Sequence, residues 1–131
     1  MGVRGCVSLY AFLASNAKTV VAYDIANVDT PDVEKLTFHN ADVLTVMIEP
    51  TDMLFIDTLH TYDQLSRELF LHANKVRKFL AFHDTFFYGD KGEDGLPGLL
   101  IAIRDFLEAA PEWRECYSSI ANNGLTILAR T

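Results

Sequence analysis

Four residues in two places carry the chemistry this chain offers. Asp52-Met53-Leu54-Phe55-Ile56-Asp57 is a short apolar run closed at both ends by carboxylates, and His60 follows three residues later. Phe79-Leu80-Ala81-Phe82 is a second apolar run, and it ends on His83-Asp84. In a parallel sheet both runs finish on one edge, because the crossover helix returns the chain to its starting side. Ligands of open α/β sheets bind at that carboxyl edge. Asp57, His83 and Asp84 then form a donor set suited to Mg²⁺, Mn²⁺ or Fe²⁺, with positions left for substrate and water. His60 is placed to act as a general base, from an ordinary pKa of about 6.5. A purely structural reading stays open. Asp57 and Asp84 would cap the segments that follow them, and His83 would be a buried, hydrogen-bonded histidine.

A second group lies near the start. Gly2-Val3-Arg4-Gly5-Cys6-Val7-Ser8 reads either as a ligand loop or as a frayed end. Glycines let a backbone approach a ligand, and a helix N-terminus behind them favours an anionic group. Asp24 closes a β-branched run, where a carboxylate can accept both hydroxyls of a ribose or simply face solvent. Asp42 carries the same ambiguity. His39 and His72 have no chemical company in the sequence and read as structural or solvated. Cys6 and Cys116 lack metal-ligand spacing and read as free thiols in a reducing compartment.

The elements that must position these residues alternate. Residues 8–16 read as a helix, with Ser8 as N-cap and Tyr10, Leu13 and Ala14 on one face. Residues 19–23 read as a strand, 31–36 as a short helix and 36–39 as a weaker strand. Residues 53–56 read as a strand buried on both faces. Residues 62–76 have the spacing of a helix whose buried stripe is Tyr62, Leu65, Leu69, Ala73 and Val76, with Arg67, Glu68 and Lys75 off it. Residues 79–82 are the next buried strand, and the glycine-rich, acidic stretch 88–98 reads as a mobile loop. Pro97 marks the first turn of a helix that Pro111 ends, and Trp113 is expected to pack the next strand onto the core. Residues 114–119 and 125–129 form two strands around an Asn122-Asn123-Gly124 hairpin turn. This order predicts one α/β domain over 1–131, with a mostly parallel sheet and an antiparallel C-terminal hairpin.

Bulk properties narrow the partners. Half of the 131 residues are hydrophobic and 22% are charged, enough for a packed core. A formal net charge of -7 argues against a nucleic-acid backbone as partner. No apolar run nears the roughly 18 residues that span a bilayer, so no membrane role is expected and a cytoplasmic location is. Met1-Gly2 begins like a myristoylation signal, but the glycine loop explains Gly2 better.

Together these motifs resemble the class I S-adenosylmethionine-dependent methyltransferases, and more narrowly the metal-dependent O-methyltransferase branch with its catechol, sugar and cephalosporin-hydroxylase-like members. The glycine segment from Gly2 to Ser8 is similar to that family's first motif, with Cys6 where a glycine is common. Asp24 matches the acidic residue on the cosubstrate ribose, and Asp42 the one near adenine. The stretch from Asp52 to Tyr62 is the strongest match, with Asp57 at the first metal-ligand position and His83-Asp84 at the next two. His60 falls where catechol-type members carry a lysine base.

The resemblance implies a Rossmann-like sheet in the order 3-2-1-4-5-7-6, with strand 7 antiparallel. The family's first strand would precede Gly2, so the chain is expected to be an N-terminally truncated version. A sheet lacking that central strand is expected to close up or to borrow a strand in a homo-oligomer. The implied function is O-methylation of a small-molecule or sugar hydroxyl. S-adenosylmethionine would lie on Gly2, Gly5, Ser8, Asp24 and Asp42, and a divalent cation, Mg²⁺ first, on Asp57, His83 and Asp84. A non-catalytic assembly module of the same fold and a metal-dependent oxygenase or hydrolase are the rival expectations.

Overall fold

The computed structural model describes residues 1–131 and is an α/β protein of six strands and three α-helices. The chain divides into two compact units, Met1–Val46 and Met47–Thr131.

The first unit holds α1 (Val7–Ala14) and a parallel pair of strands, β1 (Val20–Asp24) and β2 (Leu36–Asn40). Its core is Cys6, Leu9 and Ala22, with Val3, Leu13, Val20, Val28, Leu36 and Phe38 packed around them. The helix begins one residue earlier than the sequence predicts. Cys6, in a left-handed conformation, occupies the N-cap in place of Ser8 and makes no side-chain cap bond. Leu9 is buried while Tyr10 is exposed, so the inward face is rotated from the expected one. The short helix expected at 31–36 is absent. Only a turn precedes β2, as befits a Pro-Asp-Val segment with too few residues for a nucleus.

The second unit holds β3 (Thr51–Ile56), α2 (Tyr62–His72), β4 (Val76–His83), α3 (Leu99–Ala109), β5 (Trp113–Ser119) and β6 (Leu125–Arg130). Its sheet runs in the order β3-β4-β6-β5. β3 and β4 are parallel, while β6 is antiparallel to both β4 and β5. A mostly parallel sheet is therefore not what this unit contains. The sheet is mixed, because the tight turn at Asn122, Asn123 and Gly124, all at positive φ, folds β6 back between β5 and β4.

Local sequence explains most boundaries. The Thr61 hydroxyl caps α2 by accepting from the Gln64 amide. The helix stops at His72, and residues Ala73–Lys75 form one 3-10 turn before β4 starts at Val76. Ala73 and Val76 are buried as expected, yet outside the helix, since either conformation can turn them inward. β3 is buried through Leu54 and Ile56 but exposes Met53, so it is sealed on one face and not on two. Leu80, Phe82 and Leu128 are fully buried at the sheet's centre. Trp113 is buried against Phe106, with the Arg130 guanidinium over its ring. α3 opens at Gly98, one residue after Pro97, and buries Leu99, Ala102 and Ile103. No helix is long and apolar enough to cross a membrane.

Candidate metal centre

Asp57 is the first residue after β3, and His83 is the last residue of β4 with Asp84 directly after it. Because these strands are parallel neighbours with Ile56 opposite Phe82, the two carboxylates emerge at the same sheet edge. The turn that leads into α2 brings His60 over them. Its Nε2 lies 2.8 Å from Asp84 Oδ2 and 3.4 Å from Asp57 Oδ1. One donor atom from each of Asp57, His60 and Asp84 fits within a 4.8 Å cluster. Nδ1 of His83 faces the same carboxylates, 3.2 Å from Asp84 Oδ1 and 3.6 Å from Asp57 Oδ2. The expected group of four therefore assembles. Within it, His60 stands in the triad with the two carboxylates where the sequence reading had placed His83.

The electrostatics follow from this proximity. Burial pushes the Asp57 carboxyl up, but the His60 hydrogen bond and the charges of His83 and His60 outweigh it and hold the group below the ordinary value. His60 is raised, first by its hydrogen bond to Asp57, against an opposing effect of burial, with Asp84, Glu93 and Asp57 adding attraction. Asp84 sits at a φ of 58°, a left-handed conformation that costs a non-glycine residue energy. Asp84 Oδ1 and His83 Nδ1 are buried and make no hydrogen bond despite lying 3.2 Å apart. Buried polar atoms are seldom left that way. Two carboxylates and two imidazoles around such atoms fit a divalent cation in number and kind.

Glu68, Glu93 and Tyr88, which the sequence does not mark as functional, brace the cluster. Glu68 was placed off the buried stripe of its helix, yet it is fully buried. It accepts from the Thr58 hydroxyl at 2.6 Å and from the Gln64 amide group, which ties the 57–60 turn to α2. His72, read as structural or solvated, is also fully buried one turn further on. Glu93 and Tyr88 reach His60 from the 88–98 stretch, which is folded by its own hydrogen bonds, such as Gly92 N–H to Leu96 O. The spacing Thr61-x-x-Gln64 was a legible capping signal, but nothing local marks Glu93.

The glycine segment belongs to the first unit. Asp24 Oδ2 accepts from the Val3 and Arg4 amides at 2.7 and 3.0 Å, and Oδ1 accepts from Ala26 at 2.8 Å. Burial acts to raise this carboxyl, but the amides of Arg4, Val3 and Ala26 prevail and hold it below its ordinary value. Asp24 thus fastens the segment 2–5 to the end of β1, and any ribose hydroxyl would compete with those amides. Asp42 closes a local turn through the Leu44 amide. A side chain at Gly5 would meet open space, and Ser8 is half-buried in the first turn of α1. Cys6 is buried and Cys116 exposed, with no disulfide.

A cavity of about 410 Å³ lies elsewhere in the second unit, between Leu69, Phe70, Phe106, Trp113 and Arg130. The hollow beside Asp57 and His60 holds only about 10 Å³. The donor chemistry, not the volume, singles out the latter. No protein-family model matches the chain, and no curated protein matches it.

Proposed function

We propose that the protein is an S-adenosylmethionine-dependent methyltransferase that uses a divalent ion to methylate a hydroxyl of a small molecule or sugar. The observation that carries this reading is the joint arrangement of the second unit. The order β3-β4-β6-β5, with β6 antiparallel, corresponds to strands 4-5-7-6 of the expected sheet, and Asp57 and Asp84 stand at the carboxyl ends of its parallel pair. The parallel β1-β2 pair with its glycine segment corresponds to strands 2 and 3 and supports the same reading.

Asp57, His60 and Asp84 would hold the ion, with His83 beside them, so His60 serves here as a ligand and not as the base expected from sequence. A bound ion supplies Lewis acidity, which lowers the pKa of a coordinated hydroxyl. The residues' own contribution is position: Thr58 on Glu68 fixes the 57–60 turn, and the Tyr88 amide donates to the Asp84 carbonyl directly after β4. Mg²⁺ is the first candidate ion. A homo-oligomer belongs to the same proposal, and light scattering checks it.

One observation favours a second reading, an ion-binding module without methyl transfer. The Asp24 carboxylate is already engaged by three backbone amides. Calorimetry with S-adenosylmethionine, followed by methyl transfer to a panel of phenols, polyols and sugars with Mg²⁺ or Mn²⁺, separates the two. Cosubstrate binding and transfer that a chelator abolishes are the expected results. Ion binding with no affinity for the cosubstrate would refute the methyltransferase and leave the module.

A further inference from the structure

We propose that Glu93 is a positioning residue for the ion site: its carboxylate accepts a hydrogen bond from the Nδ1–H of His60 and leaves Nε2 to face the ion. This rests on the ion-site reading above and extends it to a residue outside the donor cluster.

The contact is built from both sides. The His60 amide donates to Glu93 Oε1 at 2.7 Å, and the Glu93 amide donates back to the His60 carbonyl at 3.1 Å. That reciprocal pair clamps the loop to the backbone of His60. It also holds Oε1 3.3 Å from Nδ1 of the same residue. The ring is also stacked on Tyr88, with centroids 4.6 Å apart and planes 7° from parallel. Gly92 makes the approach sterically possible. A Cβ there would lie 2.9 Å from the His60 carbonyl and 3.3 Å from Thr61 Cα. The loop is braced behind the contact by a Lys91–Pro97 bridge and by Gly98 N–H to Asp90 O.

The chemistry follows from the two nitrogens of one ring. A neutral imidazole carries a single N–H, so an Nε2 that ligates a cation requires the proton on Nδ1. A carboxylate against Nδ1 favours that form, orients the ring and makes Nε2 a stronger donor. Asp57 and Asp84 lie on the Nε2 side and Glu93 on the Nδ1 side, so the imidazole bridges a cation site and an outer carboxylate. Asp84, over nine-tenths buried and with Oδ1 free of hydrogen bonds, is the separate observation that a cation belongs on the Nε2 side.

Zn²⁺ is the probe, because it accepts both imidazole and carboxylate. Calorimetric titration of the full chain is compared with Glu93→Ala and Glu93→Gln. Glu93→Ala is expected to weaken Zn²⁺ roughly 10- to 100-fold, with Glu93→Gln between it and the parent because the amide oxygen still accepts a hydrogen bond from Nδ1–H. In the Zn²⁺-loaded parent, ¹H–¹⁵N spectra are expected to show a slowly exchanging Nδ1–H on His60. Glu93→Ala loses it and Glu93→Gln keeps it, a distinction that a merely structural loop contact would not produce. Equal Zn²⁺ affinity in the parent and Glu93→Ala overturns the role of Glu93 and leaves the ion site standing. No Zn²⁺ binding by the parent overturns the ion site and this inference together. Should Glu93→Ala unfold the loop, as judged by amide exchange at Gly92, the Gln variant decides: parent-like affinity without the Nδ1–H signal overturns the proposal.

Discussion

Replacing Asp24 with alanine should release the glycine segment before it disturbs anything else. Its carboxylate accepts three backbone amides, those of Val3, Arg4 and Ala26. A hydrogen bond to a charged group contributes about 1.5–3 kcal/mol when it is buried. Arg4 and Ala26 are exposed, so water replaces most of what their amides lose, whereas Val3 is half-buried and donates over the shortest distance. Solvent screening discounts the sum, and the expected loss is about 1–3 kcal/mol, roughly 5- to 150-fold in a local opening equilibrium. Amide exchange read by NMR should show Val3 and Arg4 losing protection by that factor, while Leu80 and Leu128 keep theirs. The pH dependence has a fixed sign. The folded-state pKa of Asp24 lies below 3.8, so its contribution is complete above the unfolded value and is lost as pH falls through the folded one. Protection of Val3 should therefore collapse in acid in the parent and be flat in Asp24→Ala. Unchanged Val3 exchange in the variant would refute the claim that this carboxylate fastens the segment, and would return Asp24 to the role of a free ribose acceptor.

Three further outcomes are expected. With chelator present, the raised pKa of His60 means that its contribution to stability is complete below the unfolded value, about 6.5, and fades as pH rises through the folded one; melting temperature against pH, compared with His60→Ala, should diverge on the acidic side. Gly124→Ala should destabilise the second unit by about 1–3 kcal/mol, because φ is 107° and a Cβ would collide with the Phe86 backbone, and denaturant unfolding measures it. Leu80→Ala, at a fully buried position of the central strand, should cost about 2–5 kcal/mol by the same assay, and a value under 1 kcal/mol would place that residue outside the core.

The legible part of the fold was local. Apolar runs, turn residues and the three-and-four spacing of α2 and α3 identified every strand and every α-helix that exists, with ends displaced by at most four residues. The hairpin at 122–124 was readable because only residues tolerant of positive φ occupy it. The errors have a common cause. Ala73 and Val76 satisfy a helical stripe and a helix-to-strand turn equally well, and Met53 sits in an apolar run whose second face no spacing describes. Glu68 was read as lying off the buried stripe of its helix, yet Thr58 and Gln64 make a buried carboxylate tolerable there.

By itself the sequence determined that Asp57 and Asp84 end two strands joined by one helix, and hence share an edge. That conclusion needs only alternation along the chain and the handedness of a crossover. That His60 meets them as well as His83 was decided in three dimensions. His83 adjoins Asp84 in the chain, but the capped turn into α2 swings His60 Nε2 to 2.8 Å from Asp84 Oδ2, inside the triad. The insertion of β6 between β4 and β5, the burial of His72 and the clamp of Glu93 on His60 are of the same kind. Each depends on contacts between residues far apart in the chain, and such contacts are selected by packing the whole sheet and not by any spacing a single segment carries.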